Sequence, residues 1–259
     1  MADSILCVRD DGAGVRILTL NRPHCLNALD LALCCALRDA VRTANAEPSV
    51  RALVLAGAGG SFCSGADLKR DRAAEARTGL DLLEVLQEAF LLLRQGGKPG
   101  VAAIEGHALG AGLSLALACD FLIVGASARL GAPFTSAGLA PDLGITITLP
   151  ERVGVGPARE MLLLGAVKRS GEALSLGLVD EVCDAGSALP RAVERARALA
   201  ARAPLALSAA RQLLAARGFG IECHLAQELQ LQRALRATQD AAEAAAAFAE
   251  KRPPRFVGL

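Results

Sequence analysis

Residues 138 to 150 read GLAPDLGITITLP, a run in which one carboxylate, Asp142, stands between a proline and a stretch of uncharged residues. Two chemistries are open to it. Pro141-Asp142-Leu143-Gly144 has the composition of a turn, and an aspartate at a loop-to-helix junction can accept hydrogen bonds from the amides that follow. An aspartate in apolar surroundings is instead desolvated, its pKa rises, and it becomes a usable general base. Two glycine-bearing stretches offer groups that would complement a base. In GAGGSFCSGADLKR (57 to 70) a strand end runs into a small-residue loop whose glycines let backbone N–H groups come close to a ligand oxygen. The GK[ST] ending of a nucleotide P-loop is missing from it. In EGHALGAGLSLALACD (105 to 120) a strand, a glycine-rich bend and a buried helix follow one another, so the helix's first free amides and its dipole face whatever fills the bend. The spacing is not that of a dinucleotide fingerprint. His107 reads as a packing or surface histidine, and Ser114 lacks the G-x-S-x-G setting of a hydrolase nucleophile.

These groups need a scaffold, and the first half of the chain supplies alternating strands and helices. SILCVRD, VRILTLN and VRALVLAG read as strands, with a helix from about Ala28 to Asn45 between the second and third. A helical segment near 80 to 94 precedes the strand VAAIEG, and GLSLALAC leads into FLIVG. Such alternation predicts right-handed crossovers and a largely parallel sheet, an α/β fold. Beyond about 150 the segments SALPRAVERARALAARAP, LALSAARQLLAAR, CHLAQELQLQRALRA and QDAAEAAAAFAEK have helical spacing, with one short strand expected at LVDEVCD. We expect an α/β core over 1–195 and a C-terminal helical oligomerisation region over 196–259.

Composition narrows the partners. Lys and Arg total 28 against 27 Asp and Glu, so a net charge of +1 makes no electrostatic case for nucleic acid or a membrane surface. Anionic groups of a small ligand can still meet Arg22, Lys69, Arg70 or the Lys251-Arg252 pair. The eight cysteines, Cys7, Cys25, Cys34, Cys35, Cys63, Cys119, Cys183 and Cys223, have no metal-ligand spacing, and we expect them reduced with no metal bound. ALGAGLSLALACDFLIVG (108 to 125) nearly matches a membrane span in length, but Asp120 and its glycines predict a buried helix followed by a buried strand. The start, MADSILCVRDDGAG, has no targeting pattern, which predicts an intracellular, cytoplasmic protein.

Taken in order, NRPHCLNALD (21 to 30), SFCSGADLKR (61 to 70), EGHALGAGLSLALACDFLIVGASARLGAP (105 to 133), GLAPDLGITITLPERVG (138 to 154), ALSLGLVDEV (173 to 182) and FAEKRPPRF (248 to 256) resemble the crotonase superfamily, the enoyl-CoA hydratase/isomerase family, over nearly the whole chain. The resemblance implies a crotonase-like (ββα)n spiral with a C-terminal helical trimerisation region, an acyl-CoA thioester as substrate, no separate cofactor, and a homotrimer or hexamer. It also implies an oxyanion hole from the backbone amides of Ala66 and Ala111, which would hold the charge developing on a thioester oxygen as an α-proton leaves. CoA contacts carry over to Arg22, Leu26, Ala28, Ala66, Asp67, Leu68, Phe248 and Lys251. The pocket wall falls in 70 to 95.

Family hydratases carry two glutamates, and the matching positions here are Ser114 and Phe134. Asp142 coincides instead with the single aspartate of certain family isomerases, those resembling the ring-opening isomerase of phenylacetyl-CoA breakdown. One carboxylate suffices to move a double bond from the 3,4 to the 2,3 position. Leu139, Ala140, Leu143 and Phe134 are expected to exclude water from it. Hydration, thioester hydrolysis, decarboxylation and a silent acyl-CoA binder stay open as alternatives. A dehalogenase site would resemble one furnished with histidine and tryptophan, and this chain has no tryptophan.

Overall fold

The computed structural model describes residues 4–67, 78–215, 234 and 238–259. Its main sheet has six strands in the order β1-β2-β3-β4-β6-β9. These are β1 (Leu6–Asp10), β2 (Val15–Leu20), β3 (Ala52–Gly57), β4 (Gly100–Ile104), β6 (Phe121–Gly125) and β9 (Glu181–Cys183). Only the β1–β2 pair is antiparallel; from β2 to β9 every neighbour runs parallel, as the alternation predicted. A second sheet of three strands, β5 (His107–Leu109), β7 (Arg129–Gly131) and β8 (Val167–Arg169), was not anticipated. Its strands are three residues each, too short to show a periodicity.

Pleating sends alternate residues of the main sheet into two cores. Leu53, Leu55, Ala102 and Ile104 pack with helices Leu31–Ala46 and Leu82–Arg94. On the other face Ala52, Val54, Ala56, Val101 and Ala103 meet Ala188, Ala192, Ala196 and Ala200 of helix Ala188–Ala200, whose four-residue spacing makes one smooth stripe. Helices Leu31–Ala46 and Leu82–Arg94 start at aspartates. Asp30 accepts from the Leu33 amide, so this helix begins at Leu31, three residues later than expected. Asp81 accepts from Leu83 and Glu84.

The apolar stretch 108 to 125 resolves into β5, the short helix Ala111–Ala116 and β6, and no helix among the described residues is long and apolar enough to cross a membrane. Asp120 marks the break: its carboxylate accepts from the Gly100 amide at 2.8 Å and from Arg211 at 2.8 Å. Helices Pro204–Ala215 and Gln239–Glu250 follow in the C-terminal part, while the segment expected as a helix from 223 to 237 lies outside the described residues except for Ala234.

Candidate active site

Helix Ile145–Val153 begins after Gly144, whose φ of 65° ends the preceding turn, and no side chain caps it. Of the two chemistries open to Asp142, capping is therefore unused. Among the described residues its buried Oδ1 has no hydrogen-bond partner. Burial raises the carboxyl above its ordinary value of 3.8, against a smaller opposing effect of its own main-chain amide. Leu143, next in the chain, adopts a φ of 50°, a left-handed conformation that is costly for a leucine. That side chain is buried, which holds the turn in place. Phe134 is also buried, as expected of an apolar shield. Leu139 is 47% exposed and Ala140 is exposed too, so the shielding expected of these two is not met within the chain. The reason is local: the 3-10 turn Thr135–Ala137 and the left-handed Gly138 carry residues 135 to 140 over the surface.

The two glycine-bearing stretches come together by backbone contact. Cys63 accepts from the Leu109 amide at 3.0 Å and donates to the His107 carbonyl at 2.8 Å, a parallel bridge to Ala108. Two residues on, the Leu29 amide donates to the Gly65 carbonyl at 2.8 Å and the Asp67 amide to the Leu29 carbonyl at 2.9 Å. This pairs Ala66 with Leu29 while turning the N–H of Ala66 to the other side. Gly65 has a φ of 101°, and a Cβ on it would lie 2.9 Å from the Leu109 carbonyl oxygen and 3.6 Å from the Ala111 nitrogen. A Cβ on Gly112 would stand 2.5 Å from the Cys63 carbonyl oxygen. Glycine at both places is what allows the Ala66 loop to lie against the start of helix Ala111–Ala116. Ala111 is the first residue of that helix, its cap Gly110 offers no side chain, and among the described residues neither the Ala66 nor the Ala111 amide takes part in the loop hydrogen bonds.

Asp142 joins this pair through Ser114. The Ser114 Oγ, fully buried, lies 3.3 Å from the Gly110 carbonyl and 3.3 Å from the Asp142 carbonyl. A Cβ on Gly110 would be 4.0 Å from the Phe134 ring, and one on Gly144 would be 3.4 Å from the Phe90 ring, so aromatic carbon flanks both segments. Two amide donors at adjoining backbone, and a desolvated carboxylate on a residue whose main chain Ser114 ties to the same helix, form a set suited to proton abstraction next to a carbonyl.

The sequence model of the enoyl-CoA hydratase/isomerase family matches residues 10–258. The chain belongs to this family. A 2,3-dehydroadipyl-CoA hydratase of Escherichia coli is 38% identical over 94% of this chain and 95% of its own length. A probable enoyl-CoA hydratase of Rhodobacter capsulatus is 40% identical over 95% of each. The crystal structure of an enoyl-CoA hydratase from Bacillus anthracis superposes with a TM-score of 0.92 at 33% identity, covering 99% of this chain and 100% of that one. The crotonase-like α/β fold follows from these likenesses, and hydratase is the commonest word in the relatives' names.

Within this family member the positions carried over for CoA divide. The Arg22 side chain, 14% exposed, pairs with Asp30 at 3.2 Å and Asp67 at 3.1 Å and donates to the Ala28 carbonyl at 2.5 Å. It thus clamps the turn at 22–30 to the loop that carries Ala66. Leu26 is 44% exposed in a left-handed conformation, and Ala28 is buried. Lys251 is exposed just beyond helix Gln239–Glu250, where the neighbouring Arg252 pairs with Glu243. Leu68, Lys69, Arg70, the wall segment up to 77 and the Phe248 side chain lie outside the described residues.

Asn27 was not foreseen. Fully buried with a φ of 56°, it accepts from the Arg22 amide and donates to the Ala58 and Ser61 carbonyls, fixing the base of the clamp. An asparagine inside the turn sequence CLNALD was the available signal, since asparagine tolerates the left-handed region. Nothing local announced the Ser114–Asp142 contact, which spans 28 positions.

Proposed function

We propose that this family member is an acyl-CoA isomerase that moves a double bond from the 3,4 to the 2,3 position of an enoyl-CoA, or of a related ring-opened thioester. Asp142 takes a proton from C2, and the electrons of that C–H bond flow into a thioester enolate. The amides of Ala66 and Ala111 hold the enolate oxygen, and the same carboxyl then delivers the proton to C4. CoA enters as part of the substrate. The observation that carries this reading is the Asp142 carboxylate, half-buried, with one oxygen unpartnered among the described residues and its pKa raised by desolvation. Such a group is poised to gain a proton. Ser114 and Phe134 add weight, because they stand where family hydratases carry the two glutamates that manage water and the carbon proton.

The relatives' names favour a second reading, hydration of a 2-enoyl-CoA. Substrate choice of the purified wild type separates the two. Isomerisation of a 3-enoyl-CoA far faster than hydration of a 2-enoyl-CoA supports the first; the opposite order supports the second. We further propose a homotrimer or a pair of trimers, supported by the large apolar side chains left exposed on the single chain, among them Ile147 at 64% and Leu164 at 78%.

A further inference from the structure

We infer that Ser114 is a positioning residue that holds the Asp142 turn in register with the helix carrying the Ala111 amide. The inference rests on Asp142 being the proton carrier. A serine that bonds back to the carbonyl four residues earlier is common in helices and by itself means little. Here that habit explains only the contact to Gly110. The contact to the Asp142 carbonyl joins two segments 28 positions apart.

Satisfaction of buried groups does not call for the hydroxyl. The Gly110 carbonyl already accepts the Ser114 amide at 3.0 Å, and the Asp142 carbonyl already accepts the Ile145 amide at 3.2 Å. Removing Oγ would leave neither carbonyl orphaned, so stability has little stake in it. What the hydroxyl does is span the gap. Its single proton faces both oxygens at 3.3 Å, one on the cap of the Ala111 helix and the other on the base's own residue. The turn beyond Asp142 is under strain, with Leu143 at φ 50°, and among the described residues Oδ1 of Asp142 has no hydrogen-bond partner to steer it. A strained turn persists only where its surroundings over-determine it. Ser114 is the polar part of that constraint, and the buried Leu143 and Phe134 are the apolar part.

Displacement of a catalytic group by a fraction of an ångström acts on the reacting geometry and leaves substrate affinity nearly alone. The test is 3-enoyl-CoA isomerisation by wild type, Ser114→Ala, Ser114→Thr and Asp142→Asn, with melting temperatures for each. The expected result is a fall in kcat of at least about tenfold in Ser114→Ala. KM should stay within a factor of about two, the melting point should be close to wild type, and the threonine hydroxyl should restore part of the rate. If kcat in Ser114→Ala matches wild type while Asp142→Asn is inactive, the positioning role is overturned and the base assignment stands. If Asp142→Asn turns over like wild type, the base assignment itself fails, and the role of Ser114 with it.

Discussion

At the scale of residues, Asp142 carries opposite consequences for activity and for stability. Desolvation raises its folded pKa above the unfolded value, so the native state holds the proton more tightly. The stability gained from this is present below the unfolded pKa and is lost as pH rises through the folded one. An asparagine mimics the protonated form at every pH. Asp142→Asn is therefore expected to melt higher than wild type at neutral pH, with the difference closing as pH falls below about 4; melting curves across that range check it. The sequence presented Asp142 plainly, as the one charge in an apolar run, but left capping and proton transfer both open. That capping is unused shows only in where the helix starts after Gly144 and in the burial of Oδ1, which depend on the folded chain.

Among the elements, the junction between the Ala66 loop and helix Ala111–Ala116 depends on glycine more than on any side chain. Gly65 combines a φ of 101° with only 2.9 Å between its would-be Cβ and the Leu109 carbonyl oxygen. Gly65→Ala is expected to cost about 1–3 kcal/mol of stability. It should also lower kcat by pushing the Ala66 amide out of line, which denaturant melts and turnover measured together would reveal. The first five strands of the main sheet and the long helices packed on it were legible because each extends over five residues or more. The second sheet was not, since strands of three residues carry no period and owe their pairing to the chain around them. Arg22 shows the same limit. Its charge suggested a phosphate contact, while its ion pairs with Asp30 and Asp67, which join residues up to 45 positions apart and give it a clamping task, were not visible in the sequence.

For the whole molecule, the sheet buries both faces, one under helices Leu31–Ala46 and Leu82–Arg94 and the other under the alanine stripe of helix Ala188–Ala200. Exposed large apolar side chains include six between positions 147 and 174, where Ile147, Val155, Leu163, Leu164, Val167 and Leu174 are exposed by 43 to 78%. In the proposed trimer this surface would be the contact between copies. Sedimentation should find three or six copies of the wild type together and a smaller species for Leu164→Glu; a wild-type monomer would count against the assembly. Family membership was legible from six motifs in order, because those motifs are the loops that fix the backbone of the site. The proposed departure from hydration rests on three positions, Ser114, Phe134 and Asp142.

The central claim is that Asp142 alone carries the proton, and isomerisation of a 3-enoyl-CoA by purified wild type and Asp142→Asn measures it. A fall in kcat of about 10² to 10⁴ with the fold intact is the predicted result. Turnover by the asparagine variant within a few-fold of wild type would contradict it.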